Sequence, residues 1–189
     1  MSDTLVLDGL TTITDTQADI LSQVGFELRL NGLTSITDQQ AESLSKIRSV
    51  RLSGLTTITD EQAKSLSGVS DLYLNGLTAI TDAQAESLSR VSKLYLKGLS
   101  TITDAQAESL SKVERYLDLN GLTSLTDVQA ESFCKLDYRL RVSDICIEQL
   151  LSFQQKTIAK INSSGIITSI IGPKEEIGSS HIHPPGSNE

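Results

Sequence analysis

The chain has 189 residues, the size of one ordinary domain, with 38% apolar residues but only 4% aromatic ones. Packing must rest on Leu, Ile, Val and Ala, which suits thin regular layers better than a core built around bulky rings. A formal charge of −8 speaks against nucleic acid, whose phosphates draw a basic surface, and no stretch approaches the roughly 20 apolar residues of a membrane span. The first residues, Met1-Ser2-Asp3-Thr4, lack the basic start and apolar run of a secretory signal. The expectation is a cytoplasmic protein, or a secreted one if a leader has been removed. Two cysteines, Cys134 and Cys146, make no disulfide framework and lack metal-site spacing. They read as reduced thiols in the C-terminal core; a single disulfide stapling that end would accompany secretion.

One phrase, cleanest at residues 72–93 as LYLNGLTAITDAQAESLSRVSK, occurs six times. Its glycines are Gly9, Gly32, Gly54, Gly76, Gly98 and Gly121, at spacings of 23, 22, 22, 22 and 23. Self-similarity at a fixed period in the twenties predicts a solenoid. Each unit opens on an alternating run: Leu5-Val6-Leu7, Leu28-Arg29-Leu30, Val50-Arg51-Leu52, Leu72-Tyr73-Leu74, Leu94-Tyr95-Leu96 and Leu117-Asp118-Leu119. Period-two alternation predicts a half-buried strand. The Gly-Leu that follows ends the strand and permits a close turn. An inward Ile or Leu comes next (Ile13, Ile36, Ile58, Ile80, Ile102, Leu125), and then a helix begins.

The helix start is written in the sequence. Thr14-Asp15-Thr16-Gln17 fits a capping box, in which the Thr hydroxyl and the Gln side chain satisfy each other's backbone amides. The pattern returns at Thr37/Gln40, Thr59/Gln62, Thr81/Gln84, Thr103/Gln106 and Thr126/Gln129. The Ile before the Thr can staple onto an Ala inside the helix, as Ile80 onto Ala85. The acidic column Asp15, Asp38, Asp60, Asp82, Asp104 and Asp127 suits the helix dipole. It does not read as a calcium site, because no second acidic residue at fixed spacing completes an oxygen cage. The column Thr11, Thr34, Thr56, Thr78, Ser100 and Thr123 reads as a ladder of turn hydrogen bonds.

The period breaks after Leu136. The expected organisation is six repeats over 5–136, a capping segment over 137–171 and a tail over 172–189. In the cap, residues 138–142 still alternate, and Ser143-Asp144 opens a longer helix. Ile147, Leu150, Leu151, Ile158 and Ile161 fall on one face at helical spacing and are expected to cover the last layer. Residues 166–171 read as a final strand. His181 and His183 are too few for a metal site.

These units resemble leucine-rich repeats. The run from Val91 to Ile102, V-x-x-L-x-L-x-G-L-T-x-I, is similar to that family's L-x-x-L-x-L-x-x-N-x-L core. The GLTxITDxQAxSLSxV form is similar to short bacterial, planctomycete-type arrays. The resemblance covers Leu5 to about Leu136 and departs at one point: the family's Asn is replaced by Leu99 and its counterparts. It implies an α/β fold, a right-handed solenoid with a parallel inner sheet and short helices outside, and a binding or scaffolding role.

Stacked repeats place equivalent residues in columns, with strands roughly 4.8 Å apart, so six strands span roughly 25 Å. The exposed sheet positions form one column, Val6, Arg29, Arg51, Tyr73, Tyr95 and Asp118, and a second, Asp8, Asn31, Ser53, Asn75, Lys97 and Asn120. The position before each strand reads Glu27, Ser49, Asp71, Lys93 and Tyr116. All four tyrosines, Tyr138 included, lie on or beside these strands. Tyr and Arg dominate interface energetics because they bury large area with a polar handle. The expected partner-binding surface is therefore Arg29, Arg51, Tyr73, Tyr95, Lys97, Tyr116 and Asp118. The partner is another protein, with no nucleic acid and no membrane. At the N-terminal end Leu7, Leu10, Ile13 and Leu21 are expected to lie open beside an unpaired strand edge. A homodimer mate, a further domain or blunting charges could answer that.

Catalysis needs converging groups in a cleft. The repeats hold no His to activate a thiol, and no Gly-rich phosphate loop follows a strand. The expectation is a non-enzymatic binding module with no cofactor. The other readings are a self-associating structural solenoid and a secreted effector or adhesin.

Overall fold

A computed structural model describes residues 4–134, 136 and 140–163, with side chains described as far as 159. The expectations for Tyr138, the strand at 166–171, the two histidines and the tail lie outside the described residues, as does the side chain of Ile161. The chain divides into two units, Met1–Gln155 and Lys156–Glu189. Among the described residues, the first holds the seven strands and the first six helices, and the second carries the last turns of the seventh helix.

Strand and helix alternate throughout. In chain order the elements are β1 (Thr4–Val6), α1 (Asp15–Leu21), β2 (Glu27–Arg29), α2 (Asp38–Leu44), β3 (Ser49–Arg51), α3 (Asp60–Leu66) and β4 (Asp71–Tyr73). They continue with α4 (Asp82–Leu88), β5 (Lys93–Tyr95), α5 (Asp104–Leu110), β6 (Tyr116–Leu119), α6 (Asp127–Phe133), β7 (Leu140–Val142) and α7 (Asp144–Ser163). All seven strands form one parallel sheet in sequence order. This is an α/β repeat solenoid: each strand pairs with the next unit's strand, and each helix with the next helix. The strands begin one residue earlier than the alternation suggested, and the register aligns Leu28, Val50, Leu72 and Leu94.

The second to fifth layers bury their leucines completely. Leu72, Leu74, Leu77, Ala85, Leu88 and Val91 are all fully buried in one unit. Strand, turn, helix and return each contribute to the same stripe. The inward Ile positions are less enclosed: Ile13, Ile36 and Leu125 are buried, while Ile58, Ile80 and Ile102 pack partly against the core.

The glycine column has a physical cause that crosses repeats. A Cβ built on Gly76 would lie 2.5 Å from the Leu55 carbonyl oxygen and closer still to that of Ser53. Each turn rests directly on the backbone of the turn before it, so only hydrogen fits. A Cβ on Gly9 would meet nothing within 4 Å among the described residues.

All six capping boxes form. Seven-residue helices do not persist alone in water, and the caps also tie layers together. The Gln84 Oε1 accepts from the Thr81 N–H at 3.0 Å, while its Nε2 donates to the Ile58 carbonyl one layer back at 2.9 Å. Gln40, Gln62, Gln106 and Gln129 repeat this at 2.8–2.9 Å. The Thr hydroxyl likewise donates to the preceding Asp: Thr37 to Asp15, Thr59 to Asp38, Thr81 to Asp60, Thr103 to Asp82 and Thr126 to Asp104. Thus the aspartates accept between layers as well as suiting the dipole. The ladder expected at Thr11, Thr34, Thr56, Thr78, Ser100 and Thr123 is seen at one step, Thr123 onto the Ser100 carbonyl. The regular ladder belongs to the cap threonines, which have an acidic neighbour one layer away.

Gln84→Leu removes the bond to Ile58 and strands two backbone groups, an expected loss of about 2–3 kcal/mol. Gln17→Leu breaks its own box but no bond to a preceding layer, so its loss is about 1 kcal/mol smaller. Urea melts of the two variants check the difference; equal losses would contradict it.

The face that α7 turns to the last layer differs from the expected stripe. Cys146 is fully buried and Leu150 partly so, whereas Ile147, Leu151 and Ile158 are exposed. The reason is polar. The Ser143 hydroxyl and the Cys146 thiol donate to the Leu122 carbonyl, and Gln149 accepts from the Leu125 N–H at 2.7 Å. The last layer leaves these backbone groups open, and an aliphatic stripe could not have satisfied them.

Candidate functional site

Because strands stack in register, the last residues of β1 to β5 make one row across the sheet with Asp118 of β6 and Arg141 of β7. It runs Val6, Arg29, Arg51, Tyr73, Tyr95, Asp118, Arg141. Strand spacing matches the thickness of an aromatic ring plus its contact shell, so neighbouring rings in a row can stack. Tyr73 and Tyr95 do so, with centroids 3.9 Å apart and planes within 9°. Tyr116, from the neighbouring row, tilts against Tyr95 at 5.2 Å. The Arg51 guanidinium lies 3.8 Å above the Tyr73 ring. Four strands thus carry one continuous stack, Arg51–Tyr73–Tyr95–Tyr116, with every member half-buried.

Burial, the Tyr73 hydroxyl, and then the Tyr116 and Asp71 side chains push the Tyr95 phenol well above its ordinary range, so it stays protonated and available as a donor. Burial pulls the Arg51 guanidinium down, but its hydrogen bond to Glu27 and the neighbouring Tyr73 outweigh this and raise it.

The expected cations are not free. Arg29 pairs with Asp8 at 2.7 Å and Arg51 with Glu27. Lys93 pairs with Asp71 at 2.8 Å, and Lys97 and Arg141 approach Asp118 at 3.5 and 4.0 Å. Five cations therefore face four carboxylates, and the row is nearly neutral although the chain carries −8.

Two expectations need correction. Asp118 is fully buried, not presented: it sits between Lys97 and Arg141, and its Oδ1 accepts from the Asn120 N–H. The second column, taken as free surface, is largely a ladder. Asp8 accepts from the Asn31 N–H at 2.9 Å, Asn31 from Ser53 at 3.0 Å, and Asn75 from Lys97 at 3.3 Å. Only Lys97 and Asn120 in that column are exposed. The structure brings Arg51, Tyr73, Tyr95 and Tyr116 together, leaves Arg29 two strands from the rings, and adds Arg141, Lys93 and Glu27. Arg141 was within reach of the sequence, since Leu140-Arg141-Val142 keeps the alternation.

A cavity of about 140 Å³ lies between α6, β7 and α7, lined by Phe133, Cys134, Leu140, Val142, Ile147, Leu150 and Gln154. Burial pushes the Cys134 thiol up, which makes it a poor nucleophile. Both cysteines are unpaired. Among the described residues no group of three or more His, Cys, Asp and Glu side chains could hold a metal ion. No described helix is long and apolar enough to cross a membrane.

Among the described residues, seven parallel strands, six capped short helices and one longer one define a repeat solenoid with an aromatic row on its sheet face. In comparisons with known proteins, no family model and no curated protein matches the chain.

Proposed function

We propose that this chain is a non-enzymatic binding module of the leucine-rich-repeat type, taking another protein on its sheet face. The observation that carries the reading is the stack Arg51–Tyr73–Tyr95–Tyr116. Its rings are already ordered on rigid strands, so little side-chain freedom remains to be lost on contact. Large half-exposed aromatics beside an Arg are the residues that dominate interface energies.

The geometry also narrows the partner. Rings stacked at 3.9 Å occupy each other's faces. A nucleic-acid base or a sugar ring that needs a free aromatic face finds little here. What the row offers is ring edges, hydroxyls and a neutral charge pattern, which suit a mixed apolar and polar protein surface. The two unpaired thiols favour the cytoplasm over a secreted role.

The leucine-rich-repeat reading rests on the fully buried Leu72, Leu74 and Leu77 and on the parallel strand at each repeat. Leu99 and its counterparts stand where the family has Asn, and the Gln of the helix cap performs layer-to-layer bonding from another position.

Affinity capture with quantitative mass spectrometry identifies the partner. Tyr73→Ala with Tyr95→Ala is then expected to weaken binding at least about 30-fold, two hot-spot truncations. Both side chains are half-exposed, so the fold should survive, which circular dichroism checks. Unchanged affinity removes the proposal.

A further inference from the structure

Along the sheet face three ion pairs are closed and one is not. Arg29 donates to Asp8 at 2.7 Å, Lys93 to Asp71 at 2.8 Å, and Arg51 to Glu27. Each of these sets one cation on one carboxylate and spends a donor on it. Asp118 instead has two cations, with Lys97 Nζ at 3.5 Å and Arg141 Nη1 at 4.0 Å from its Oδ2. Among the described residues no hydrogen bond reaches that oxygen. The surplus positive charge of the row therefore sits at this corner, on donors that are not spent on the acid beneath them.

Strand register fixes the arrangement. It puts Tyr95 one strand before Asp118 and Arg141 one strand after. Lys97 lies two residues beyond Tyr95, on the same face of the sheet. The Asp118 side chain is 1% exposed, while those of Lys97 and Arg141 are 44% and 57% exposed. A buried carboxylate thus holds two cations above it, beside the end of the ring stack, with their outer sides open. Burying a carboxylate whose second oxygen accepts nothing is costly. The same row position is Arg or Tyr in the four preceding strands, so packing alone does not call for an acid there.

Charge decides what fits. Two cations over one carboxylate leave one positive charge, which a single negative charge balances. A carboxylate carries that charge, and the guanidinium fork of Arg141 matches its two oxygens. A phosphate, with nearly two negative charges, would leave an excess beside buried Asp118. The chain as a whole carries −8 and repels an acidic partner, so this corner also sets where along the face an acid can land.

We infer that Lys97 and Arg141 receive a carboxylate of the protein partner, the side chain of an Asp or Glu that neighbours an apolar group seated on the Tyr73 and Tyr95 edges. Arg141 stands two strands from Tyr95, so the two groups of the partner are about 10 Å apart. The inference rests on the sheet face being the binding surface and adds what that surface selects. Asp118 touches no partner; it positions the two cations.

A displayed library of random twelve-residue peptides, selected on the immobilised wild-type chain and sequenced in bulk, tests this. Selected peptides are expected to carry an acidic residue at one position near an apolar one. In isothermal titration, replacing that carboxylate by its amide should weaken binding to the wild-type chain at least about fivefold, and binding to Arg141→Gln or Lys97→Gln less than about twofold. Each variant leaves Asp118 one cation, so the fold is kept, which circular dichroism checks. A phosphoserine at the acidic position should bind more weakly than the carboxylate. Peptides with no acidic position, an amide effect equal in all three chains, or tighter binding by phosphoserine overturns the proposal. Tyr73→Ala with Tyr95→Ala separates it from the reading it rests on. If that variant loses the peptides in any of those cases, the sheet face stands and the carboxylate site alone falls. Peptides indifferent to the tyrosines, or no enrichment at all, overturn both.

Discussion

Gly76→Ala is expected to destabilise the protein by about 3 kcal/mol or more, while Gly9→Ala leaves it unchanged or slightly more stable. The two glycines hold the same place in the repeat, so local propensity cannot separate them. What differs is the layer beneath. At Gly76 a methyl would press into the carbonyls of Ser53 and Leu55, which are backbone atoms fixed by their own layer and cannot swing aside. At Gly9 the space is empty, and alanine only narrows the unfolded ensemble. Because the clash lies between layers, relieving it would pry two repeats apart and weaken the strand bonds on either side. Thermal and urea melts at low concentration measure both variants. Equal losses at the two positions would show that the glycines serve a local turn and not the stacking.

The second large effect contrasts length with packing. Deleting residues 76–97 joins Asn75 to Gly98 and removes one whole layer in register. The layers on either side of the cut still meet a like layer, so the chain should fold cooperatively with stability lowered by about one interface. Leu74→Asn with Leu96→Asn leaves the length intact but fares far worse. Both leucines are fully buried. Each truncation of this kind costs about 2–5 kcal/mol, and each amide finds no partner in the stripe. The sum is of the order of a domain's whole stability, so the double variant should not fold. Denaturant melts of the two constructions rank them. A deletion less stable than the double substitution would mean that the layers are not interchangeable.

The sequence made the layers legible because their signals are local. Thr81-Asp82-x-Gln84 lies within four residues, and the alternation Leu72-Tyr73-Leu74 within three, so both could be read without knowing what lay beside them. The second task of Gln84 was hidden, since Ile58 lies 26 residues away and is reached only once the layers stack. The same holds for Asp60, read as a first-turn charge and found bonded to Thr81 of the next layer. Periodicity placed Tyr73 and Tyr95 in one row, and their contact followed from strand spacing. It could not show that Asp118 is buried, because one of its two cationic neighbours, Arg141, lies past the point where the repeat phrase breaks. In α7 the aliphatic pattern pointed to the wrong face. Two open backbone groups of the last layer outweighed it, and hydrogen-bond demand of that kind leaves no trace in hydropathy.

Distances between spin labels at equivalent exposed positions test the stacking most directly, in a chain whose two cysteines are replaced by alanine. Labels at Thr34 and Thr123, or at Thr11 and Ser100, are four layers apart and should both give about 19 Å before label width, with about 24 Å for Thr11 and Thr123 at five layers. Two unequal four-layer distances, or a five-layer distance no longer than they are, would contradict the column of layers on which the aromatic row depends.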